Sequence, residues 1–258
     1  MRSEADIRQV FALWDQGLSK NKISQATGVS RTQIRSWLAL GLDGVLSSRM
    51  RTNPWFPCDG SCEPWRDLNE PSYAYLFGQY LGDGCTSEQP RHSPRLRITM
   101  CDQYPAIRKE TEIAIARVIP GATVGRVQRA GCTDVYTSNP HLICLFPQHG
   151  PGRKHERSIV LRAWQEAIVF DRHPQLFLRG LIQSDGCRVL NWVKNPKTGG
   201  RYTYPRYMFT NASDEIRGFF VEACRRLEID VRKMNARTIS VARRLSVAKL
   251  DGFVGPKS

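Results

Sequence analysis

The sequence predicts an α+β protein in which a small all-α unit precedes a larger domain built as a duplicated αββαββ. Three observations carry this reading. A stretch near residue 80 recurs about a hundred positions later, and each copy is followed by the same succession of strands and helix. Apolar residues at the N-terminus recur at helical spacing. Strand candidates in the duplicated part alternate basic and apolar side chains, the period of a sheet with one covered face.

The all-α unit covers residues 1–45. Ile7, Val10, Phe11 and Trp14 share one helical face, which ends at Gly17. Ser19 is placed to cap a second helix running to Thr27. Gly28-Val29 makes the turn, and Ser30 caps a third helix, Arg31 to Leu38. Ile23, Ala26, Val29, Ile34 and Trp37 supply the buried side. Residues 19–38 contain Lys20, Lys22, Arg31 and Arg35 and no acid. This pattern resembles a helix-turn-helix DNA-binding domain of the resolvase or transposase type. The resemblance implies that the third helix enters the major groove through Arg31, Thr32, Gln33 and Arg35; a three-helix interaction module is the plainer alternative. Residues 46–70, with Pro54, Pro57, Gly60 and Pro64 among Trp55, Phe56 and Trp65, lose all periodicity and read as a linker packed through its aromatics.

Residues 71–258 form the duplicated domain, with halves of about 71–148 and 172–256. Leu76-Phe-Gly78-Gln-Tyr-Leu-Gly82-Asp83-Gly84-Cys85 matches Leu178-Arg-Gly180-Leu-Ile-Gln-Ser184-Asp185-Gly186-Cys187 at an offset of 102. Pro94 to Thr99 then matches Pro205 to Thr210 at an offset of 111, so the second copy has a longer hairpin around Lys194 to Gly200. A helix follows in each copy, over about 104–118 and 214–227, and then two short strands. Gly78 and Gly82, like Gly180 and Ser184, lie four apart, so each helix presents a small-residue face that lets two backbones approach. That packing carries Asp83 and Asp185 to adjacent helix C-termini, with Gly84 and Gly186 expected as left-handed caps. Two carboxylates beside the negative ends of two helices repel, and a hard divalent cation resolves the repulsion.

With these residues in place, the chain resembles the LAGLIDADG homing endonucleases over about Tyr73 to Val254. The resemblance implies a pseudo-twofold fold with saddle-shaped antiparallel sheets. It implies metal-dependent cleavage of double-stranded DNA, with Asp83 and Asp185 as catalytic metal ligands for Mg²⁺ or Mn²⁺. The motif position two before each Asp departs from the family pattern, being Leu81 and Gln183; it is not the metal ligand. A basic residue near the metals is also implied, and neither Arg126 nor Lys233 can be aligned to it. The alternative function is a catalytically silent transcriptional regulator on the same fold, since certain bacterial sporulation regulators join such a domain to a helix-turn-helix. An intein is not expected, because no terminal His-Asn pair is present.

Charge fits a polyanionic partner. Lys and Arg number 38 against 24 Asp and Glu, a formal charge of +14 with pI near 9.7. The sheet cations expected on DNA are Arg95, Arg97, Arg126 and Arg129 in the first half. In the second they are Lys194, Lys197, Arg201, Arg206, Arg232, Lys233, Arg237, Arg243 and Arg244. Arg153 and Lys154, in the Gly-rich connection between the halves, are expected on phosphates, whereas His149 and His155 read as polar surface rather than proton-transfer groups. The longest uncharged stretch, Val135 to Gly152, holds Pro140, Pro147, Asn139 and two histidines and is no membrane span; the acid-bearing N-terminus is no secretory signal. A cytoplasmic, nucleoid-associated monomer is therefore expected. Among the cysteines, Cys101, Cys132, Cys144 and Cys224 read as small buried hydrophobes. Zinc at Cys58/Cys62 is disfavoured, because no second close cysteine pair completes a site.

Overall fold

The computed structural model describes residues 4–46, 62–63, 66–89, 92–194, 199–255 and 257. The chain divides into two compact units, Met1–Trp55 and Phe56–Ser258. Cys58, Lys197 and most of the expected linker, Trp55, Phe56 and Trp65 included, lie outside the described residues. No helix among the described residues is long and apolar enough to cross a membrane.

The first unit contains α1 (Glu4–Asp15), α2 (Lys20–Thr27) and α3 (Arg31–Leu40). Its helix ends follow from local chemistry. Ser19 Oγ accepts from Lys22 N, and Ser30 Oγ accepts from Gln33 N, so both N-termini are capped. Gly28 closes α2 at φ 65°, a left-handed conformation that costs a side chain more than glycine. Val10, Ile23, Val29 and Ile34 form the buried core, with Trp37 half-buried against it. Ala26 is exposed, not buried as its spacing suggested: α2 is only two turns long and covers the core with Ile23 alone.

The second unit is the duplicated α+β fold. Its first half runs α4 (Glu70–Asp83), β1 (Gly84–Gln89), β2 (His92–Cys101), α5 (Pro105–Val118), β3 (Gly125–Arg129), β4 (Cys132–Ser138) and α6 (Leu142–Leu145). A connection with a short α7 (Ala163–Glu166) and a π-helical turn (Ala167–Arg172) leads to the second half. That half comprises α8 (Pro174–Asp185), β5 (Gly186–Lys194), β6 (Arg201–Thr210), α9 (Asp214–Arg226), β7 (Arg232–Lys233), β8 (Thr238–Val241) and α10 (Arg244–Val254). Both sheets are antiparallel and share one topology, β1-β2-β4-β3 and β5-β6-β8-β7. The β5–β6 hairpin pairs as far as Lys194 with Arg201, the extension expected from the longer offset.

One apolar core joins the halves, and α4 runs through it. Every residue of α4 from Ser72 to Leu81 is buried, a helix covered on all sides. Its contact with α8 is backbone against backbone. A Cβ on Gly78 would stand 2.6 Å from Phe177 O, and one on Gly180 would stand 2.2 Å from Tyr75 O. Phe77 and Phe177 stack across the seam with centroids 5.9 Å apart. Tyr75 Oη donates to Gln183 Oε1 at 2.7 Å, so a buried hydrogen bond also crosses it. Gly84 and Gly186 are not left-handed caps: φ is −96° and −111°, extended backbone that starts β1 and β5. Glycine is required there by space, since a Cβ would lie 2.6 Å from Tyr80 Cα and 2.8 Å from Ile182 Cα.

Gly180→Ala is therefore expected to destabilise the protein by about 3 kcal/mol or more, a melting temperature lower by about 6–12 °C. Gly218→Ala, in α9 with nothing near the added carbon, should be neutral or stabilising by up to about 1 kcal/mol. Equal melting of the two variants would contradict the seam.

Candidate active site

The seam ends where its two carboxylates meet. Asp83 closes α4 and Asp185 closes α8. A Cβ on Gly82, the neighbour of Asp83, would stand 2.2 Å from Ser184 Oγ and 3.1 Å from Asp185 Oδ2. Asp83 keeps solvent access at the mouth of a concavity while protein surrounds it on its other sides; Asp185 is half-buried. Desolvation, then the charge of Asp185, pushes the Asp83 carboxyl up to about 6, against the pull of Lys154 and Lys257. Asp185 is also raised by desolvation, offset in part by Asn211 Nδ2, which donates to Asp185 Oδ2 at 2.6 Å. A 70 Å³ cavity beside Asp83 is lined by Gln79, Gln183, Ser184, Cys101, Tyr104 and Lys257 among others.

Two lysines complete this arrangement, each from the segment that follows one half. Lys154 Nζ donates to the carbonyls of Tyr80, Leu81, Gly82 and Gly84, the last turn of α4 and the residue after it. Lys257 Nζ donates to the carbonyls of Ser184 and Gly186 at the matching end of α8. Each ammonium thus sits on the negative end of a helix dipole, next to the carboxylate pair. Burial lowers Lys154 to about 8, less than it would without the Asp185 and Asp83 charges.

Lys154 is thus turned inward onto helix carbonyls rather than outward from its loop. Its loop is folded inward around Arg157, whose guanidinium donates to the carbonyls of Gln148, Gly150, Pro151 and Gly152. The sequence reading missed Lys257 altogether. A signal was present: Gly150-Pro151 precedes Lys154 as Gly255-Pro256 precedes Lys257, a continuation of the repeat past its last strand. Arg153 stays exposed, 3.8 Å from Glu156. His149 lies 3.5 Å from Glu88, and His155 is exposed beside Glu156.

Strand parity sorts the remaining cations. Along β2, Leu96, Ile98 and Met100 are buried while Arg95 and Arg97 face away from the helices. Arg129 stands on that open face, because it pairs with Cys132, itself opposite Cys101. Arg95 lies over the Tyr136 ring at 4.7 Å. Asp134 is buried among these arginines, accepting from Thr99 Oγ1 and Arg129 Nε at 2.7 Å each. Burial works to raise its carboxyl, but these donors with the charges of Arg129 and Arg97 outweigh it and hold it low. In the second half Arg206 and Arg232 share the open face, Arg206 donating to Ser240 Oγ. Lys194 and Arg201 end the long hairpin, and Arg237 is exposed in the β7–β8 turn.

Four predicted DNA contacts fall elsewhere. Arg126 pairs with Val135, a core residue, so it points to the helix side and clamps Glu112 of α5. Lys233 pairs with buried Ile239 and lines a concavity with Asp214 and Arg217 of α9. Arg243 has left the sheet for the N-cap of α10, where it pairs with Asp230 at 2.9 Å; Arg244 begins that helix. Alternation of basic and apolar residues was assumed to keep each cation outward, but β3 and β7 are edge strands whose helix side is also open to ion pairing. Of the cysteines read as buried, Cys144 and Cys224 are, whereas Cys101 is exposed on β2 and Cys132 is half-buried. In the first unit Arg31, Thr32, Gln33 and Arg35 are all exposed along α3.

The raised Asp83 has a definite signature. Its contribution to stability is full below the unfolded value of 3.8 and is lost as pH rises through about 6. Metal-free Asp83→Asn is therefore expected to melt above the unsubstituted protein at about pH 7.5, with the difference vanishing near pH 4. Thermal melts across that range check it; a variant that melts lower at neutral pH and recovers on acidification would contradict the desolvated pair.

The sequence matches no family model and no curated protein. Among solved structures the chain is similar to LAGLIDADG proteins. I-DmoI in complex with DNA and Ca is 14% identical over 72% of this chain and 91% of that chain, with a TM-score of 0.46. The homing endonuclease I-WcaI bound to its DNA recognition sequence is 14% identical over 75% and 84%, with a TM-score of 0.46. The N-terminal LAGLIDADG domain of DUF199/WhiA is 12% identical over 72% and 83%, also with a TM-score of 0.46.

Proposed function

We propose that this chain binds double-stranded DNA at a specific sequence and cleaves it by metal-dependent phosphodiester hydrolysis. The observation that carries the reading is the pair of carboxylates, Asp83 and Asp185, brought together from two symmetric helix ends with a lysine beside each. Desolvation first and the neighbouring Asp185 charge second raise the Asp83 carboxyl, and two carboxylates near backbone carbonyls form an oxygen donor set suited to Mg²⁺ or Mn²⁺. When bound there, a divalent cation supplies an activated water and neutralises the departing oxygen of the phosphodiester.

The chain's own groups do the rest. Asp83 and Asp185 would hold the cation and orient the attacking water. Asn211 fixes the Asp185 carboxylate through its hydrogen bond. Lys154 and Lys257, anchored on helix carbonyls, place positive charge where negative charge accumulates on the scissile phosphate. On the open sheet faces Arg95, Arg97, Arg129, Arg206 and Arg232, with Lys194 and Arg237 at the ends of hairpins, meet the duplex. The exposed α3 residues Arg31, Thr32, Gln33 and Arg35 extend the recognised site as the reading helix of a helix-turn-helix. Since one chain supplies both carboxylates, the protein acts as a monomer.

Duplex sites selected by binding, incubated with Mg²⁺ or Mn²⁺, test this directly. Cleavage is expected, and Asp83→Asn or Asp185→Asn should abolish it while binding persists. Tight binding with no strand scission under either metal would instead assign the chain to the regulators. Lys154→Met is expected to slow cleavage by about a hundredfold with little change in affinity. Affinity should fall steeply with salt, and each open-face Arg→Ala should reduce the salt slope by about one. An Arg126→Ala slope change as large as that of Arg97→Ala would refute the assignment of faces.

A further inference from the structure

Away from the carboxylate pair, three soft donors converge at the end of the first half. Cys62 Sγ lies 3.2 Å from His141 Nδ1, although 79 positions separate them in sequence. Cys144 joins them, and the donor atoms of all three lie within 4.8 Å of one another. Tetrahedral zinc, with bonds of about 2.3 Å to sulfur and about 2.0–2.1 Å to nitrogen, holds its ligands about 3.5–3.8 Å apart. Donor atoms no more than 4.8 Å apart can close to that spacing by side-chain rotation.

The backbone holds two of the donors ready. His141 is the N-cap of α6, so His141 and Cys144 face the same way one helical turn apart. Asn139 Oδ1 accepts from His141 N at 2.8 Å, and Cys144 N donates to His141 O at 3.0 Å. Leu142, Leu145 and Phe146 bury the turn, and Tyr73 Oη of α4 donates to Leu145 O at 2.7 Å. Cys62 comes from the opposite direction, in the segment that enters α4. The expectation against zinc rested on the lack of a second close cysteine pair; the fold supplies a His-x₂-Cys pair instead.

We propose that Cys62, His141 and Cys144 bind a structural zinc ion that staples the segment ahead of α4 to the end of the first sheet. The donor set contains no oxygen, which selects zinc over Mg²⁺ or Mn²⁺ and separates this site from the one at Asp83 and Asp185. Its ligands do not line the cavity beside Asp83, so it serves the fold rather than the chemistry. Structural zinc is four-coordinate. Cys58 stands four positions before Cys62, a ligand spacing common in zinc sites, but it lies outside the described residues and the site rests on the three. Zinc binding across so long a separation adds its free energy to folding.

The test uses the full chain, purified without a histidine tag and freed of loose metal by a weak chelator. Elemental analysis is expected to give about one zinc per chain. Exchange for Co²⁺ should give thiolate-to-cobalt charge transfer and the intense visible bands of a tetrahedral ion. Cys62→Ser and Cys144→Ser should each lower zinc content about tenfold, His141→Cys should retain it, and Cys132→Ser should leave it unchanged. A strong chelator should lower the melting temperature of the unsubstituted protein but not that of Cys144→Ser. Protein free of zinc, a cobalt spectrum without thiolate bands, unchanged zinc in both serine variants, or a Cys62–Cys144 disulfide found by intact mass would each overturn the site. Should the variants fail to fold, zinc content and the cobalt spectrum of the unsubstituted chain decide alone.

Discussion

The backbone contact between α4 and α8 constrains everything else in the duplicated unit. At Gly78 and Gly180 there is no room for even one carbon, and the two chains touch main chain to main chain. Only at such an approach do the helices end side by side, bringing Asp83 and Asp185 close together. The core is organised to hold this contact: α4 is buried on every side, and aromatic stacking and the Tyr75–Gln183 hydrogen bond cross the seam. Rigid packing fixes the carboxylates where their mutual repulsion cannot be relieved by moving apart.

Charge is then distributed against that constraint. Lys154 and Lys257 neutralise helix ends that would otherwise add to the repulsion, and each is delivered by the segment that closes its own half. The arrangement leaves both carboxylates higher in pKa than ordinary ones, so the site retains an affinity for further positive charge. Elsewhere arginine has two separate uses. Arg172 with Glu70, Arg179 with Glu110, and Arg126 with Glu112 tie elements together through paired hydrogen bonds. Arg97 and Arg206 stay on the open faces. A net charge of +14 therefore overstates the cation count offered to a polyanion, because many arginines are spent inside the fold.

What the sequence determined by itself was the part governed by local rules and by repetition. Helix boundaries followed from Ser19, Ser30 and Gly28, strand faces in β2 from strict alternation, and the duplicated architecture from the recurrence of Asp83-Gly84-Cys85 at Asp185-Gly186-Cys187. The meeting of the two carboxylates could be inferred because small residues four apart allow only one kind of helix contact. Tertiary structure decided the rest, wherever a side chain's partner is distant in sequence. Lys154 reaches α4 across more than seventy positions, and Arg126 turns to the helix side because α5 places Glu112 there. Cys62 meets His141 and Cys144 only after a whole half-domain has folded between them. Periodicity reports which face of an element is covered; it carries no information about which charged or ligating group the covering element brings, and that is set by packing alone.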